Sequence, residues 1–196
     1  MIFLCDLKVI PANVFNGCTN LTNVQIPASV ESIGEHAFQG TDIRTLTIGE
    51  NVEVIGLEAF RDCDALAELN FADKSVLHTI GQAAFAGCAS LKTVEMPDTV
   101  VVLKNSAFVG CSSLTTVYVS ASLEIMEGYV FSACPALAKF EMGEGAKMLG
   151  AHAFFTPANN NGFYYHNALK EVIIPDSERV RCFGRVTWKY TLPYVK

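Results

Sequence analysis

The sequence has little charge and few histidines, and it lacks the short motifs that mark most catalytic, cofactor and metal sites. Charged residues make up 17% of the chain, and 4 of its 196 residues are histidine. No G-x-G-x-x-G, P-loop, H-E-x-x-H or EF-hand pattern occurs. There is also no C-x-x-C pair of the kind found in zinc and thioredoxin-like sites. These absences argue against an enzyme, and we expect no catalytic residue, no cofactor and no metal.

Long apolar runs and basic clusters are missing too. No stretch approaches the roughly 18 apolar residues that a membrane-spanning helix needs, so we expect no membrane insertion. The formal net charge is −6, and no block of lysine or arginine offsets it. That balance opposes binding to nucleic acid or to anionic lipid. Residues 1–8 lack the features of a signal peptide, so we expect no export signal in this chain.

What the sequence has instead is an internal repeat of about 23 residues. A phenylalanine recurs at separations of 23, 22, 25, 23, 23 and 23 residues: Phe15, Phe38, Phe60, Phe85, Phe108, Phe131 and Phe154. An aliphatic residue stands five positions before each one: Ile10, Ile33, Ile55, Ile80, Leu103, Met126 and Leu149. A cysteine stands three positions after five of them, with Thr41 and Pro157 in the other copies: Cys18, Cys63, Cys88, Cys111 and Cys134. Such a period predicts a solenoid of stacked units.

Each copy ends in an L-x-x-V-x-I motif whose alternation of apolar and polar residues predicts a short strand. The motifs begin at Leu21, Ile43, Leu66, Leu91, Leu114, Leu137 and Leu169. Short polar side chains follow in the next turn, where we expect them to bond the backbone: Ser29, Asn51, Thr99 and Ser122. Stacking these units should place the phenylalanines in one buried column, about 5 Å apart.

The consensus I-P-x-S-V-x-x-I-G-x-x-A-F-x-G-C-x-x-L-x-x-V-x-I resembles the BspA-like (Treponema pallidum-type) leucine-rich repeat. Residues 26–38 and 85–96 match it most closely, and the similarity extends over about residues 10–175. The chain departs from the pattern at Thr41, around residues 72–77, where two residues are added, and after Phe154. The resemblance implies a scaffold protein, cell-surface or secreted in its full-length parent, with an adhesin-like role.

The expected fold is an α/β-type repeat, a right-handed leucine-rich-repeat solenoid with a parallel β-sheet on its concave face. The stretch I-G-x-x-A-F-x-G-C should return the chain along the opposite side. It is too short for a full helix, so we expect one helical or 3-10 turn there. The array should span residues 1–175, with about seven repeats and a truncated first one, as in a fragment of a longer protein. Residues 176–196 should form an aromatic C-terminal cap.

The cysteines and histidines fit structural or surface roles better than catalytic ones. Parallel side chains in a column point inward together, so we expect free, buried thiols and no disulfide. His36 and His152 occupy the same repeat position but lie five repeats apart, roughly 25 Å at strand spacing. No two histidines are therefore placed to share a proton or a metal.

Two regions are candidates for binding a partner. The first is a polar, mildly acidic strip of outward strand positions with a single aromatic: Thr93, Glu95, Thr116, Tyr118, Lys139 and Glu141. The second is an insertion at about residues 155–168, where four residues follow an asparagine- and glycine-rich turn: Phe163, Tyr164, Tyr165 and His166. Inserted loops on repeat scaffolds often carry binding residues.

Three functions stay open at the level of sequence. The leading hypothesis is a non-catalytic scaffold that binds a protein partner. The alternatives are a glycan-binding module that uses the insertion and a structural spacer for a larger surface protein. The strip can equally be a solvated sheet face, and the aromatic residues of the insertion can instead pack against the C-terminal cap.

Overall fold

Short parallel strands arranged in two rows form the framework of the chain. The computed structural model describes residues 6–154, 168–174 and 181–182, and its strands are numbered in chain order. The first row pairs in the order β1 (Val9–Ile10), β2 (Ser32–Ile33), β4 (Val54–Ile55), β6 (Thr79–Ile80), β8 (Val102–Leu103) and β10 (Ile125–Met126). The second row consists of β3 (Thr45–Ile48), β5 (Glu68–Phe71), β7 (Thr93–Glu95), β9 (Thr116–Val119), β11 (Lys139–Met142) and β13 (Glu171–Ile173). All of these pairings are parallel, which is the solenoid that the repeat predicts.

The second row is the strand motif expected from the sequence. In β3 the side chains of Leu46 and Ile48 are fully buried, whereas those of Thr45 and Thr47 are exposed. The first copy of the motif, residues 21–26, is not a strand, contrary to expectation. It meets the next repeat through a long 3.3 Å bond from the Arg44 amide to the Thr22 carbonyl.

The first row is a second sheet that the sequence analysis did not predict. Its inward residues are the aliphatic column five positions before each phenylalanine, so Ile33 lies in register with Ile55, and Ile55 with Ile80. Each strand has two residues, which is too short for an alternating pattern to be recognised in the sequence. The strands form because successive repeats place the same two residues side by side.

A column of phenylalanine rings forms the centre of the core. The rings of Phe38, Phe60, Phe85, Phe108 and Phe131 are fully buried. Successive ring centroids from Phe15 to Phe131 are 5.1, 5.1, 5.2, 5.2 and 5.6 Å apart, and the rings stack almost in parallel. This confirms the expected column and its spacing, so each ring from Phe38 to Phe108 contacts the repeat before it and the repeat after it.

The segment that carries each phenylalanine forms turns, and no helix is present in the described residues. The expected helical or 3-10 turns are therefore not confirmed, and over these residues the α/β description reduces to parallel strands and turns. One reason is a left-handed residue two positions before each phenylalanine: Asn13, His36, Glu58, Ala83, Ser106, Tyr129 and His152. A left-handed residue interrupts a right-handed helix. The amides also bond between repeats, as when the Phe60 amide donates to the Ala84 carbonyl at 2.8 Å.

The short polar residues of the turns bond the repeat before them. The hydroxyl of Ser29 donates to the Leu7 carbonyl at 3.0 Å, and that of Thr99 donates to the Leu77 carbonyl at 2.9 Å. The amide side chain of Asn51 donates to the Ala28 carbonyl at 2.8 Å. These bonds satisfy backbone carbonyls that would otherwise lack a protein partner. Backbone bonding thus occurs at three of the four expected positions, but to the preceding repeat and not within the same turn.

The C-terminal part of the chain is described in two short segments. Residues 168–174 contain β13, and β14 (Arg181–Cys182) pairs in parallel with β12 (Met148–Leu149). Most of the expected cap at residues 176–196 lies outside the described residues, as does nearly all of the insertion. In the part of the chain that the structure describes, no helix is long and apolar enough to span a membrane.

Candidate functional site

The outward positions of β7, β9 and β11 form two rows, which we call the strand face. In one row Thr93 lies in register with Thr116, and Thr116 with Lys139. In the other row Glu95 lies beside Tyr118, and Tyr118 beside Glu141. The structure thus brings together the six strand residues singled out in the sequence. Neighbouring side chains in such rows are close enough to contact one partner together, because adjacent strands are about 4.8 Å apart.

Charges at one end of the strand face are internally paired. The ammonium of Lys139 lies 3.2 Å from a Glu141 carboxylate oxygen and 3.6 Å from one of Glu171. The hydrogen bond with Glu141, followed by the charge of Glu171, raises the pKa of Lys139. Lys139 therefore stays positively charged and is shared between two carboxylates.

Tyr118 lies at the centre of the strand face and is partly buried. Partial burial raises the pKa of its phenol, and the charges of Asp98 and Glu141 raise it further. The phenol therefore keeps its proton at neutral pH and can donate a hydrogen bond to a partner. A partly buried tyrosine among polar residues is the side-chain type favoured at binding hot spots.

The second row of strands is interrupted between β5 and β7. Within the described residues β5 pairs with β3 and β7 pairs with β9, and the two pairs belong to separate sheets. A groove of about 670 Å³ lies at this interruption, and we call it the inter-strand groove. Its polar lining consists mainly of Glu68, Asn70, Asp73, Lys92, Glu95 and Tyr118. No salt bridge joins Glu68, Asp73 or Glu95 to a cation in the described residues.

Comparison with known proteins identifies the repeat. A model of the BspA type leucine-rich repeat region matches residues 2–77 and 69–179, with 6 copies of the repeat. The chain belongs to the BspA-type leucine-rich repeat family. No curated protein matches it significantly.

Three solved structures share the fold of this BspA-type chain. A leucine-rich repeat protein of T. pallidum is 28% identical over 74% of the chain, with a TM-score of 0.67. A leucine-rich repeat protein of Bacteroides ovatus is 21% identical over 90% of the chain, with a TM-score of 0.57. The pneumococcal vaccine antigen PcpA is 22% identical over 79% of the chain, with a TM-score of 0.50. The match covers 66%, 66% and 50% of those structures, so the chain spans at most about two thirds of their length.

The BspA-type cysteine column is a buried ladder of thiols. Cys63, Cys88, Cys111 and Cys134 are free and buried, while Cys18 is free and exposed. Each buried thiol donates to a phenylalanine carbonyl of the preceding repeat at 3.2–3.3 Å. Where threonine replaces cysteine, the Thr41 hydroxyl donates to the Phe38 carbonyl at 2.9 Å. Threonine at this position thus also donates to a phenylalanine carbonyl, but to that of its own repeat.

We expect alkylation to separate the exposed cysteine from the buried ones. Burial raises the pKa of the Cys63 and Cys88 thiols, and a hydrogen bond with Cys134 followed by burial raises that of Cys111. Iodoacetamide at neutral pH should label Cys18 in the native chain and spare these three, because the thiolate is the reactive form. Peptide mapping by mass spectrometry checks this, with the denatured chain as the fully labelled control. Labelling of Cys88 as fast as Cys18 in the native chain would contradict the burial.

The described histidines do not form a shared site. His36 bonds Gln39 at 2.8 Å and lies 3.4 Å from a Glu58 carboxylate oxygen. His78 bonds Thr79 at 2.9 Å, and the ring of His152 contacts that of Tyr129. Among the described residues no cluster of three or more histidine, cysteine or acidic side chains could hold a metal ion.

Sequence reasoning missed the inter-strand groove, and its expectations for the insertion fall on residues that the structure does not describe. Phe163, Tyr164, Tyr165 and His166 lie outside the described residues. The groove does have a signal in the sequence, since Phe60 and Phe85 are separated by 25 residues where 23 is usual. The added residues at 72–77 were recognised as a departure from the repeat, but the interruption of the sheet between β5 and β7 was not predicted.

Proposed function

We propose that this chain is a non-catalytic scaffold that binds a protein partner through its strand face. The BspA-type repeat forms a family of generally non-catalytic scaffolds, and stacked repeats typically bind partners on extended surfaces. The observation that supports the proposal most is the alignment of Tyr118 with Glu95 and Glu141 in one accessible row. We further propose an adhesin-like role at the cell surface, from the resemblance to this family.

Replacing Tyr118 with alanine should weaken binding about tenfold without unfolding the chain. Tyr118 is the single aromatic residue among the six strand-face positions, so its loss removes the side-chain type favoured at binding hot spots. Surface plasmon resonance with a protein captured on the native chain measures the change, and thermal unfolding shows that the variant is folded.

Tyr129→Ala is a matched control, because Tyr129 is an exposed tyrosine outside the strand face. Its affinity should stay within about twofold of the native value. A third form, lacking residues 159–165, tests the insertion as the alternative contact. Unchanged affinity in both Tyr118→Ala and the deletion would overturn binding at either region.

A further inference from the structure

We infer that the outer face of the first row binds the same face of a second copy of this chain, with the order of the strands reversed. We call this surface the first-row face, and it consists of the outward residues of six strands: Val9, Ser32, Val54, Thr79, Val102 and Ile125. It belongs to a different sheet from the strand face, so the inference goes beyond the proposed function. An apolar strip, a charged edge and an edge with gaps carry the argument.

The first-row face is a strip of mostly apolar, β-branched side chains. Four of its six residues are valine or isoleucine, whereas the outward residues of β3 in the second row, Thr45 and Thr47, are polar. Val9 and Ile125, at the two ends of the strip, are 50% and 41% exposed. Apolar side chains that share one exposed face mark an interaction surface. A second sheet with the same strand spacing can cover such a strip along its whole length, because two sheets pack face to face about 10 Å apart.

The residue just before each strand forms one edge of the strip, and the charges along this edge are complementary when the order is reversed. In chain order these residues are Lys8, Glu31, Glu53, His78, Val101 and Glu124. A twofold axis that runs along the strands, between β4 and β6, places β1 of one copy over β10 of the other. Lys8 then lies opposite Glu124 of the second copy. Glu53 lies opposite His78, and the uncharged Val101 lies opposite Glu31, so no like charges meet at these six positions.

The same charges exclude the neighbouring registers. With the axis through β6, Glu31 would lie opposite Glu124 of the second copy, and like charges that face each other across an interface repel. With the axis through β4, Glu53 would lie opposite Glu53 of the second copy. The charges therefore favour the register centred between β4 and β6 over a shift by one strand in either direction.

The ion pairs within each copy leave the edge able to form these contacts. Lys8 lies 2.7 Å from a Glu31 carboxylate oxygen, and Lys147 pairs with Glu124. An ammonium group carries three donors, so Lys8 can bond Glu31 and Glu124 of the second copy together. Association then adds an ion pair at each end of the strip without breaking one.

The opposite edge of the strip has gaps where side chains of the second copy would lie. Gly34, Gly56 and Gly81 follow the buried residues of β2, β4 and β6. At the corresponding position after β8, Lys104 carries a side chain that pairs with Glu127 at 3.1 Å. The reversed order sets Lys104 opposite Gly34, so this long side chain meets a position that has none.

Sedimentation equilibrium of the full chain tests the inference, under reducing conditions that keep the exposed Cys18 from forming a disulfide between copies. Because one narrow strip is a small contact, the dimer should be weak, with a dissociation constant on the order of 100 µM. Ile125→Glu should weaken association by roughly tenfold or more, since it places a charge in the apolar strip of each copy. Thr47→Glu is the matched control, because it adds the same charge at an exposed position of β3. The control should associate within about twofold of the native chain, and thermal unfolding shows that both variants are folded.

A charge exchange tests the reversed order of the strands. Lys8→Glu sets two carboxylates opposite each other at both ends of the dimer, and Glu124→Lys sets two ammonium groups there. Each variant alone should associate about tenfold more weakly than the native chain. In an equimolar mixture the new carboxylate of one variant faces the new ammonium of the other, and the native pair forms at the opposite end. The mixture should therefore associate within about threefold of the native chain.

The mixture carries its own control, because each variant loses the same ion pair within its own chain whether it is alone or mixed. A native chain that stays monomeric up to about 1 mM would overturn the inference. Association of Ile125→Glu equal to that of the native chain would overturn it as well, and so would a mixture that associates no better than its two components. Binding of a captured protein through Tyr118 does not depend on any of these results, so the proposed function is tested separately.

Discussion

Truncation of Phe85 to alanine should lower the free energy of unfolding by about 3–5 kcal/mol, the range found for large buried aromatic residues. The Phe85 ring is fully buried and stacks at 5.2 Å on both Phe60 and Phe108. Its loss removes the burial of the ring itself and leaves a cavity between two repeats. Chemical denaturation followed by circular dichroism measures the change.

The N-terminal member of the same column provides the control. Phe15 is only partly buried and stacks on one described neighbour, Phe38, at 5.1 Å. Phe15→Ala should therefore lower the free energy of unfolding by less than half as much as Phe85→Ala does. Because stacked repeats couple mainly to their neighbours, Phe85→Ala should also broaden the unfolding transition. Equal losses for the two variants would show that the column does not carry the stability of the array.

Adding a single methyl group at Gly81 should lower the free energy of unfolding by about 1–3 kcal/mol, the usual cost of overpacking. Gly81 follows the aliphatic column, where its amide donates to the Ile55 carbonyl at 2.8 Å. A Cβ built there would lie 2.6 Å from the carbonyl oxygens of Gly56 and Ile55. Backbone atoms cannot rotate away, so the two repeats must separate. Thermal or chemical unfolding of Gly81→Ala measures the cost.

Two comparison variants separate lack of space from backbone strain. Gly110 has a φ of +77°, but a Cβ there would lie 3.7 Å from its nearest neighbour, so space is available. Gly110→Ala should therefore lower the free energy of unfolding by roughly 1–2 kcal/mol through backbone strain alone. Lys104 occupies the repeat position of Gly81 and already carries a side chain. Lys104→Ala should therefore lower the free energy of unfolding by under about 1 kcal/mol, because it removes only an exposed ion pair with Glu127. Native-like stability of Gly81→Ala would refute the close approach of the repeats.

Much of the fold can be predicted from the sequence, because the repeat is visible in the order of the residues themselves. Phe38, Phe60 and Phe85 occur at corresponding positions, and stacking equal units requires corresponding residues to meet. The same reasoning placed the buried thiols and located Tyr118 among its neighbours on the strand face. The six strand residues of the candidate site were found in this way, while the identity of a ligand was not.

Other features depend on contacts that a single repeat does not contain. The first row of strands exists because Ile33 meets Ile55 and Ile55 meets Ile80, with two residues per strand and no alternating pattern to reveal it. Ala83 adopts a left-handed backbone conformation, and the amides of Ala83 and Phe85 bond carbonyls of the following repeat instead of closing a helix. Glycine is the residue that usually marks a left-handed conformation in a sequence, and Ala83 and its counterparts are not glycine.

The sequence by itself determined the stacking of this protein and its buried columns, since both follow from a period of about 23 residues, and its consensus motif carries the resemblance to the family. Only the tertiary structure decided where the sheet opens. Two residues are added at 72–77, between β5 and β7, and these two strands form no ladder. A hydrogen-bonded ladder requires the backbones of both strands to lie in register, so the inter-strand groove appears only when the repeats are assembled.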